Sequence, residues 1–531
     1  MRLLNLRWIL WAGFLRTMSD PDRIRLHIRG QLWRGTVGAA GLVDRAVASD
    51  DLVEAERLLD HVADSDPNRE SLQAAVLLLA GHITEAEAQA RVALESTSPS
   101  GRRRARRVLR RVARIRRELI DGATAPAPRR PVPVYRGSQR DALRVLHVLK
   151  NSLPQVQAGY TIRTQEVLRA QQAAGINAQA VTRLGFPVAQ GHLAARTEVV
   201  SGVRYHRLLA ADGSDVAQFG RRLAHLARQE QTDVLHAATD HVNGRAALFA
   251  AHELGCPMVY EVRGFLEDSW ATRHGGDERA ASSEWYTLAR ARESEVMRAS
   301  DAVITLGPSM ADEIRSRGVA AERVWIVPNA VNDRFLTPPR ESGSVRAALG
   351  LPRERTLVGA ITTVHSFEGL GTLLAAVLMS REEGVDVGAV IVGNGPAQGS
   401  LKRHFGEHDA IRWVDRVDVD AAIDWYDSLD AVVIPREDYR VTRLVTPLKP
   451  VEALARERLV IASDLPALRE ATGGHARFVA PGDVEALAAE LRLIDTHRAL
   501  GRAGRAWVIK ERQWSRVVAG YQDAYAFVSG R

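Results

Sequence analysis

The chain has 531 residues, of which 46% are hydrophobic and 26% are charged, so two or three globular domains are expected and disorder of the whole chain is excluded. Residues 102–118 hold ten arginines and one glutamate, a local charge of +9. Because the net charge is +8, the other residues together carry −1. This excludes a nucleic-acid-binding composition for the protein as a whole. The single cysteine, Cys256, excludes an intrachain disulfide and a cysteine-based zinc site.

An apolar run from Leu3 to Leu15 lies near the start of the chain, and Arg7 interrupts it. The run is too short to span a bilayer, and no small-residue cleavage site follows it. We therefore expect a cytoplasmic protein, and peripheral attachment to the inner face of the membrane stays open.

Residues 1–120 are predicted to be helical, because they contain no run of β-branched residues and few turn signals. The segment Leu52–Leu59 recurs as Ile83–Ala90 with a shift of 31 residues, close to the roughly 34-residue period of tetratricopeptide repeats. A tetratricopeptide-like pair and unrelated helical hairpins explain the pattern equally well.

The arginine-rich stretch is predicted to be an amphipathic helix, since Ala105, Val108, Val112, Ile115 and Leu119 recur at three- and four-residue steps. A basic amphipathic helix can lie on an anionic membrane surface. It can also pack its apolar stripe on the rest of the protein, or on a protein partner, while the arginines stay in solvent. Both alternatives stay open.

A proline-rich linker is predicted at residues 121–140. After it, β-branched runs alternate with helical stretches over residues 142–335 and again over 340–505, which is typical of parallel, doubly wound sheets. The chain is therefore predicted to be an α/β protein with two Rossmann-like domains, preceded by an all-helical region. Residues 506–531 are predicted to form a helix that crosses back to the first of these domains. The predicted strands are 143–149, 177–183, 233–237, 257–262, 301–306 and 323–328 in the first domain, and 357–361, 387–393, 411–414, 430–435, 458–463 and 476–480 in the second.

Five stretches of the two α/β domains share an order and spacing with a known family. They are Pro154–Thr164, Tyr260–Phe265, Ser300–Thr305, Ile326–Val331 and Thr446–Ala453. With them the chain resembles the retaining glycosyltransferases of family four, over about residues 142–530. The resemblance implies the GT-B fold, with an acceptor domain followed by a nucleotide-sugar donor domain.

The resemblance also implies the activity. A sugar would pass from a nucleotide-diphosphate donor to a glycan or lipid-linked acceptor, as in bacterial cell-surface polysaccharide or glycolipid synthesis. The nucleotide sugar is a co-substrate, and no cofactor and no divalent metal ion are implied. Because the departing diphosphate gains charge, catalysis would depend on electrostatic stabilisation more than on a nucleophilic side chain.

The donor site is expected around the stretch Thr446-Pro447-Leu448-Lys449, followed by Glu452. By resemblance, Glu452 accepts hydrogen bonds from the ribose hydroxyls, a role that suits an acceptor-only carboxylate. Thr446, Pro447 and Leu448 would open a helix whose free N–H groups hold the diphosphate, and Lys449 would add positive charge.

Glycines and one arginine complete the candidate set. Gly393 and Gly395 would form a turn near the nucleotide, and Gly159 with Tyr160 would let a loop of the first domain approach the donor phosphates. Arg263 follows a predicted strand, at the edge where ligands bind in such sheets, and we expect it beside the transferred sugar. Arg263, Lys449 and Glu452 are therefore the candidate catalytic residues.

The sequence departs from the commonest family pattern in two places. Leu444 stands where the family has a second glutamate, and the loop 362–369 lacks the usual arginine and lysine. A branch with a TPLKP-x-E donor motif is implied, in which Lys449, Arg440 and Arg443 are the candidates for balancing the diphosphate charge.

Metal chemistry has little support, because Asp418-Val419-Asp420 precedes a predicted helix and is interpreted as a helix cap. Two other functions stay open. One is a noncatalytic GT-B scaffold that uses its helical region for protein interaction, and the other is a nucleotide-sugar epimerase, which would form product without an acceptor.

Overall fold

The computed structural model describes residues 38–96, 98–120, 142–210, 215–340, 343–348, 350, 352 and 354–530. The apolar run Leu3–Leu15 and the predicted linker at 121–140 lie outside the described residues. Among the described residues, no helix is long and apolar enough to cross a membrane.

The first part of the described chain is all helical, as predicted. Its helices are α1 Ala39–Ala48, α2 Leu52–Leu59, α3 Arg69–Leu79, α4 Ile83–Val92 and α5 Pro99–Leu119. One small core lies between α1, α2 and α3, and a second lies between α3, α4 and α5. Ala105, Val108 and Val112 of α5 are buried in the second core. The apolar stripe of the basic helix is thus inside the protein, so a membrane contact cannot use it.

The helical region also packs on the domain that follows it. The indole of Trp285 lies against the second helical core, and its backbone N–H donates to the carbonyl of Gly81 at 3.0 Å. The N–H of Thr84 donates to Glu284 Oε2 at 2.8 Å. The region that a linker was expected to set apart therefore shares an apolar and hydrogen-bonded interface with the first α/β domain.

The first α/β domain contains an eight-stranded sheet in the order β3-β4-β2-β1-β5-β6-β7-β8. All neighbouring strands are parallel except β3 and β4. Its strands are β1 Arg144–Leu149, β2 Asn177–Thr182, β3 Thr197–Val200, β4 Val203–Arg207, β5 Val234–Ala238, β6 Met258–Val262, β7 Ala302–Thr305 and β8 Val324–Ile326. Its helices are α6 Gly159–Ala173, α7 Val216–Gln229, α8 His241–Leu254, α9 Leu266–Ala271, α10 Asp277–Ala281, α11 Glu284–Ala299 and α12 Pro308–Ser316.

The antiparallel hairpin β3–β4 is absent from the sequence prediction. Alternate side chains of β3 are exposed, so the strand lacks the continuous apolar run that identifies the buried strands. The sequence signal that could have identified the hairpin is the pair Ser201-Gly202, a typical two-residue turn. In the structure both residues have positive φ (47° and 84°), as such a turn requires.

The second α/β domain contains a six-stranded parallel sheet in the order β11-β10-β9-β12-β13-β14. Its strands are β9 Thr356–Ile361, β10 Val387–Val392, β11 Ile411–Val414, β12 Ala431–Ile434, β13 Leu459–Ser463 and β14 Arg477–Val479. Its helices are α13 Gly343–Ala348, α14 Leu370–Glu382, α15 Gln398–Phe405, α16 Val419–Ser428, α17 Arg440–Leu444, α18 Lys449–Ala455, α19 Pro466–Thr472, α20 Val484–Arg492 and α21 Ile494–Glu511. The predicted fold class, two Rossmann-like domains after a helical region, is confirmed.

The final helix, α22 Trp514–Ser529, returns to the first domain. It packs against α6 and against β6, β7 and β8. Trp514, Tyr521 and Tyr525 are buried in the core of that domain. The continuous helix expected over 506–531 is in fact divided at Arg512 and Gln513, between α21 and α22.

Candidate functional site

The loops after the strands of the two sheets meet across an interdomain cleft. A side chain at Gly159 would lie 3.9 Å from Leu448 Cδ1, and one at Gly264 would lie 3.8 Å from Val445. Asn329 Nδ2 donates to the carbonyl oxygen of Thr446 at 2.8 Å. Gly159 and the donor loop, expected from sequence to share one site, are therefore neighbours.

Lys449 is the first residue of α18 and is anchored in the second domain. Its ammonium lies 3.0 Å from Glu368 Oε2 and also donates to the hydroxyl of Thr362. Burial lowers the pKa of Lys449, and the charge of Glu368 opposes that shift. Leu448 is the N-cap of this helix, and the N–H of Val451 donates to the carbonyl of Leu448 at 3.0 Å. Because Pro447 and Pro450 have no N–H, the backbone donors at this turn that precede any intrahelical acceptor are those of Leu448 and Lys449.

Arg436 was not singled out from the sequence, but it joins Lys449 in the structure. It follows β12 and donates from NH2 to Glu368 Oε1 at 3.1 Å and from NH1 to the carbonyl of Val445 at 3.1 Å. Its Nε is buried without a hydrogen-bond partner among the described residues. Although burial raises it, the pKa of Glu368 is held at about 2 by the charges of Arg436 and Lys449. The available sequence signal was the cation two residues after the end of a buried strand.

The other two arginines proposed for the diphosphate are engaged elsewhere. Arg440 forms ion pairs with Asp268 and Glu313 of the first domain. Arg443 is half exposed and pairs with Asp438 at 2.5 Å. Arg440 thus contributes to the contact between the domains, and Arg443 to the surface.

Glu452 lies one turn after Lys449 on α18 and is half-buried. Its Oε2 accepts a hydrogen bond from the hydroxyl of Tyr426 at 2.9 Å. Burial raises the pKa of Glu452, and the bond from Tyr426 and the charge of Lys449 oppose the rise. Tyr426 thus orients the carboxylate. Because the pKa of Glu452 is raised, the carboxylate becomes protonated, and stops being only an acceptor, at a higher pH than an ordinary glutamate does.

Gly393 and Gly395 fit two loops of the second domain closely together. Gly393 has φ +128°, and a Cβ there would lie 1.9 Å from the carbonyl oxygen of Thr362. A Cβ at Gly395 would lie 2.5 Å from the carbonyl oxygen of Val364. The helix after this turn begins only at Gln398. The two glycines therefore allow close packing against the loop 362–364, in which the hydroxyl of Thr362 accepts a hydrogen bond from Lys449.

Arg263 lies directly after β6 and is bound mainly by one carboxylate. Its Nε and NH2 donate to Glu261 Oε2 at 2.9 and 2.5 Å, and NH1 donates to the Thr164 hydroxyl and, at 3.3 Å, to the carbonyl of Tyr160. Glu261 is fully buried, and although burial opposes it, the charges of Arg263 and Arg163 hold its pKa well below the usual range.

The same carboxylate connects Arg263 to the donor loop. Arg163 NH2 donates to Glu261 Oε1 at 3.0 Å, and its NH1 donates to Asn329 Oδ1 at 2.8 Å. Asn329 in turn binds the carbonyl of Thr446. Arg163 is only 3% exposed, so it supports this network and does not reach the cleft.

Tyr160 lies at the cleft with 43% of its surface exposed, and its hydroxyl accepts a hydrogen bond from Asn151 Nδ2 at 2.9 Å.

Asp418 accepts from the N–H of Ala421 at 2.9 Å, which is the helix cap expected from the sequence. The residues that the structure describes contain no group of three or more histidine, cysteine, aspartate or glutamate side chains that could hold a metal ion.

Two Rossmann-like domains that face each other across a cleft define the GT-B class of protein. The family profile described as Glycosyltransferase Family 4 matches residues 158–335, and the profile described as Glycosyl transferases group 1 matches residues 355–495. The protein is a glycosyltransferase of the GT-B type, similar to family four.

Solved structures share this fold. Sucrose-phosphate synthase from Thermosynechococcus elongatus is 19% identical with a TM-score of 0.58, and the match covers 72% of this chain and 98% of that one. The catalytic domain of starch synthase IV from Arabidopsis thaliana, bound to ADP and acarbose, is 14% identical with a TM-score of 0.56 (73% and 100% covered). HepE of Anabaena in complex with UDP-glucose is 15% identical with a TM-score of 0.55 (73% and 100% covered). No curated protein matches the chain at a significant level.

Proposed function

We propose that the protein is a retaining glycosyltransferase that moves a sugar from a nucleotide-diphosphate donor to a glycan or lipid-linked acceptor, in cell-surface polysaccharide or glycolipid synthesis. The main support is the grouping of Glu452, Lys449 and Arg436 at the carboxyl edge of the second sheet, opposite Gly159. Similar structures were solved with ADP or with UDP-glucose, which are ligands of the class that such a group of residues suits.

The nucleoside half of the donor is assigned to Glu452. Its carboxylate accepts from the ribose hydroxyls, and the bond from Tyr426 fixes its orientation. Gly393 and Gly395 fit closely against the loop that carries Thr362, whose hydroxyl contacts Lys449 one turn before Glu452.

The diphosphate half is assigned to the side chains of Lys449 and Arg436 and to the backbone N–H groups of Leu448 and Lys449, in the turn that Thr446 and Pro447 open. Glu368 holds both cations in place and cancels one of the two charges, which leaves a net charge of +1. When the bond from the sugar to the diphosphate breaks, negative charge grows on the leaving group and these fixed groups stabilise it. Gly159 and Tyr160 close this region from the first domain.

The acceptor half is assigned to the first domain. Arg263 follows β6 at its carboxyl end and donates to the carbonyl of Tyr160, which supports a role for its guanidinium on the side from which an acceptor hydroxyl would reach the sugar. In a retaining reaction the hydroxyl attacks from the face that the diphosphate leaves, so the departing phosphate is well placed to take its proton.

The test is a hydrolysis and transfer screen of purified protein against UDP-, GDP- and ADP-sugars, with Glu452→Ala as the variant. Two hydrogen bonds to a charged group contribute about 1.5–3 kcal/mol each, so kcat/KM should fall by at least about 100-fold. Glu485→Ala removes an exposed glutamate from α20 and is the matched control. Activity of Glu452→Ala within a few fold of the wild type would contradict the assignment.

Two observations favour a second candidate, a noncatalytic scaffold that works through its helical region. Glu368 cancels part of the positive charge in the donor site, and Leu444 replaces a family glutamate. A scaffold would bind no nucleoside diphosphate and release no sugar from any donor, so the same screen separates the two functions. Product formed without an acceptor would indicate an epimerase instead.

A further inference from the structure

Helix α5 presents a strongly basic face to solvent. Its exposed arginines are Arg103, Arg106, Arg107, Arg110, Arg111, Arg114 and Arg117. They recur at three- and four-residue steps, so they line one side of the helix over roughly 21 Å from first to last. Because the apolar stripe on the other side is buried against α3 and α4, this face is fixed outward.

The described residues balance only part of the charge of α5. Asp44 pairs with Arg104, Glu87 pairs with Arg116, and the charge of Asp50 acts on Arg111. The neighbouring helices pair their arginines with carboxylates along the same helix, as in Arg57 with Glu54 and Arg91 with Glu87, both at 2.7 Å. For Arg103 and Arg106, as for Arg107 and Arg110, the described residues offer no carboxylate within ion-pair distance. Like charges three and four residues apart destabilise a helix, so α5 carries a repulsion that an anionic partner relieves.

The basic face leads to the acceptor side of the cleft. At the end of α5 the carbonyl of Glu118 accepts from Arg245 NH1 at 2.8 Å, and the carbonyl of Leu119 accepts from Arg292 Nε at 2.6 Å. Glu118 Oε1 lies 3.7 Å from Nε2 of His241, the first residue after the loop that follows β5. The helix therefore ends at the carboxyl edge of the first sheet.

Further basic groups continue from that point to Arg263. Lys150 follows β1, Arg183 follows β2, and both form ion pairs with Asp240. Asn151, next to Lys150, binds the hydroxyl of Tyr160, whose carbonyl accepts from Arg263. A chain of contacts thus links the end of α5 to Arg263, whose side chain is 9% exposed at the candidate acceptor site.

We propose that the arginine face of α5 binds an acidic glycan, the acceptor, and guides it to the cleft. This rests on the proposed function. A membrane surface is the poorer occupant, because α5 buries its apolar stripe and so keeps only electrostatic attraction to anionic headgroups, without the insertion that strengthens the binding of amphipathic helices. A flexible polymer with a carboxylate or phosphate on successive sugars can follow the roughly 21 Å face and enter the cleft, which a planar surface cannot do.

The experiment measures binding to fluorescent oligogalacturonate, which carries one carboxylate per sugar, with uncharged dextran oligosaccharide as its control. The variant is R103Q/R106Q/R107Q/R110Q. The matched control is R221Q/R228Q/R502Q/R516Q, which removes the same number of exposed arginines from α7, α21 and α22. Vesicles with and without phosphatidylglycerol form a separate arm, and binding of UDP, GDP and ADP to all three proteins is measured alongside.

We expect the α5 variant to bind oligogalacturonate at least about fourfold more weakly, since four surface charge contacts at the low end of their usual strength give that factor. The control variant should bind as the wild type does, and the salt dependence should weaken only in the α5 variant. Equal losses in both variants, or equal binding of dextran, would overturn the proposal. If the wild type binds phosphatidylglycerol vesicles but does not bind oligogalacturonate, the proposal is overturned in favour of a membrane contact.

The nucleotide measurements keep this proposal separate from the proposed function. Unchanged nucleoside diphosphate binding in the α5 variant shows that the donor site is intact, so a loss of oligogalacturonate binding belongs to α5. If the wild type binds no nucleotide and acts on no donor, the proposed function fails, while the oligogalacturonate result still decides whether the face binds an acidic polymer.

Discussion

The guanidinium of Arg263 is held by the carboxylate of Glu261, with Nε 2.9 Å from Oε2, at the point where β6 enters the cleft. Glu261 is fully buried and binds Arg163 with its other oxygen. Arg263 therefore has two roles to separate. It compensates a buried charge, and it stands where the acceptor and the sugar are proposed to meet.

Replacement of Arg263 separates these roles. Arg263→Ala leaves the buried carboxylate of Glu261 with only one of its two arginine partners, Arg163. The free energy of unfolding should therefore fall by on the order of 3 kcal/mol. Arg263→Lys keeps the charge but loses the fork that reaches Thr164 and Tyr160, so kcat should fall about tenfold or more with a smaller change in Tm and in donor KM. Steady-state kinetics and thermal melting measure both. A wild-type kcat in Arg263→Lys would make the residue purely structural.

The two cations of the donor site should act on the phosphates and not on the nucleoside. Lys449→Ala and Arg436→Ala should each weaken binding of the preferred nucleoside diphosphate by about 10- to 100-fold, since each removes a charge-assisted hydrogen bond. Binding of the uncharged nucleoside should change little, as calorimetry can show. Arg443→Ala, on the nearby surface, is the control and should change neither. Equal losses for diphosphate and nucleoside would remove Lys449 and Arg436 from the phosphate site.

A buried glutamate should make the stability depend on pH. Glu293 accepts from the N–H of His241 at 2.7 Å and contacts the Tyr260 hydroxyl at 2.6 Å. Burial, with the charges of Glu267 and Asp240, raises its pKa to about 8 from an ordinary 4.5. The folded protein thus keeps a proton that the unfolded chain has released, so the free energy of unfolding falls as the pH rises from about 4.5 to about 8.

Replacement by glutamine tests this, because the amide imitates the protonated acid. Between pH 5.5 and 7.5 the Tm of the wild type should decline more than that of Glu293→Gln, by an amount equivalent to roughly 2–3 kcal/mol of unfolding free energy. Glu253→Gln, at an exposed position of α8, should follow the wild type. Parallel curves for the wild type and Glu293→Gln would contradict the raised pKa.

Removal of divalent cations should leave the rate unchanged. Positive side chains and backbone N–H groups are proposed to carry out the phosphate stabilisation that a metal ion performs in other transferases. Transfer is measured before and after dialysis against EDTA, with manganese and magnesium added back. Loss of activity that manganese restores would show that a metal ion takes part.

The sheets could be predicted because their strands are buried on both faces. Val387–Val392, for example, is a continuous apolar run, and the structure has a strand over those residues. Strand β3 has four residues that alternate between exposed and half-buried, so its period-two pattern is short and weak. Sequence also predicted that the donor loop and Gly159 share one cleft.

The ion-pair partners of the site residues were harder to predict from the sequence than the fold was. Lys449 was singled out by its motif, but its partner Glu368 follows β9, whereas Arg436 and Lys449 lie between β12 and β13, so only the folded sheet brings the three together. Arg163 could not be assigned for the same reason, because its partner Glu261 is 98 residues away in sequence. Side chains that act through long-range ion pairs carry no local signal.

The return of α22 to the first domain determines when that domain can be completed during synthesis. Tyr521 donates to Glu261 at 2.8 Å, and the hydroxyl of Tyr525 lies 2.7 Å from Nδ1 of the buried His236. These groups leave the ribosome only after the whole second sheet, so the first domain to be translated is the last to close its core. Until then its central carboxylate lacks one of its partners, so we expect the final folding step of this domain to follow synthesis of the second domain, unlike the usual N-terminal-first order.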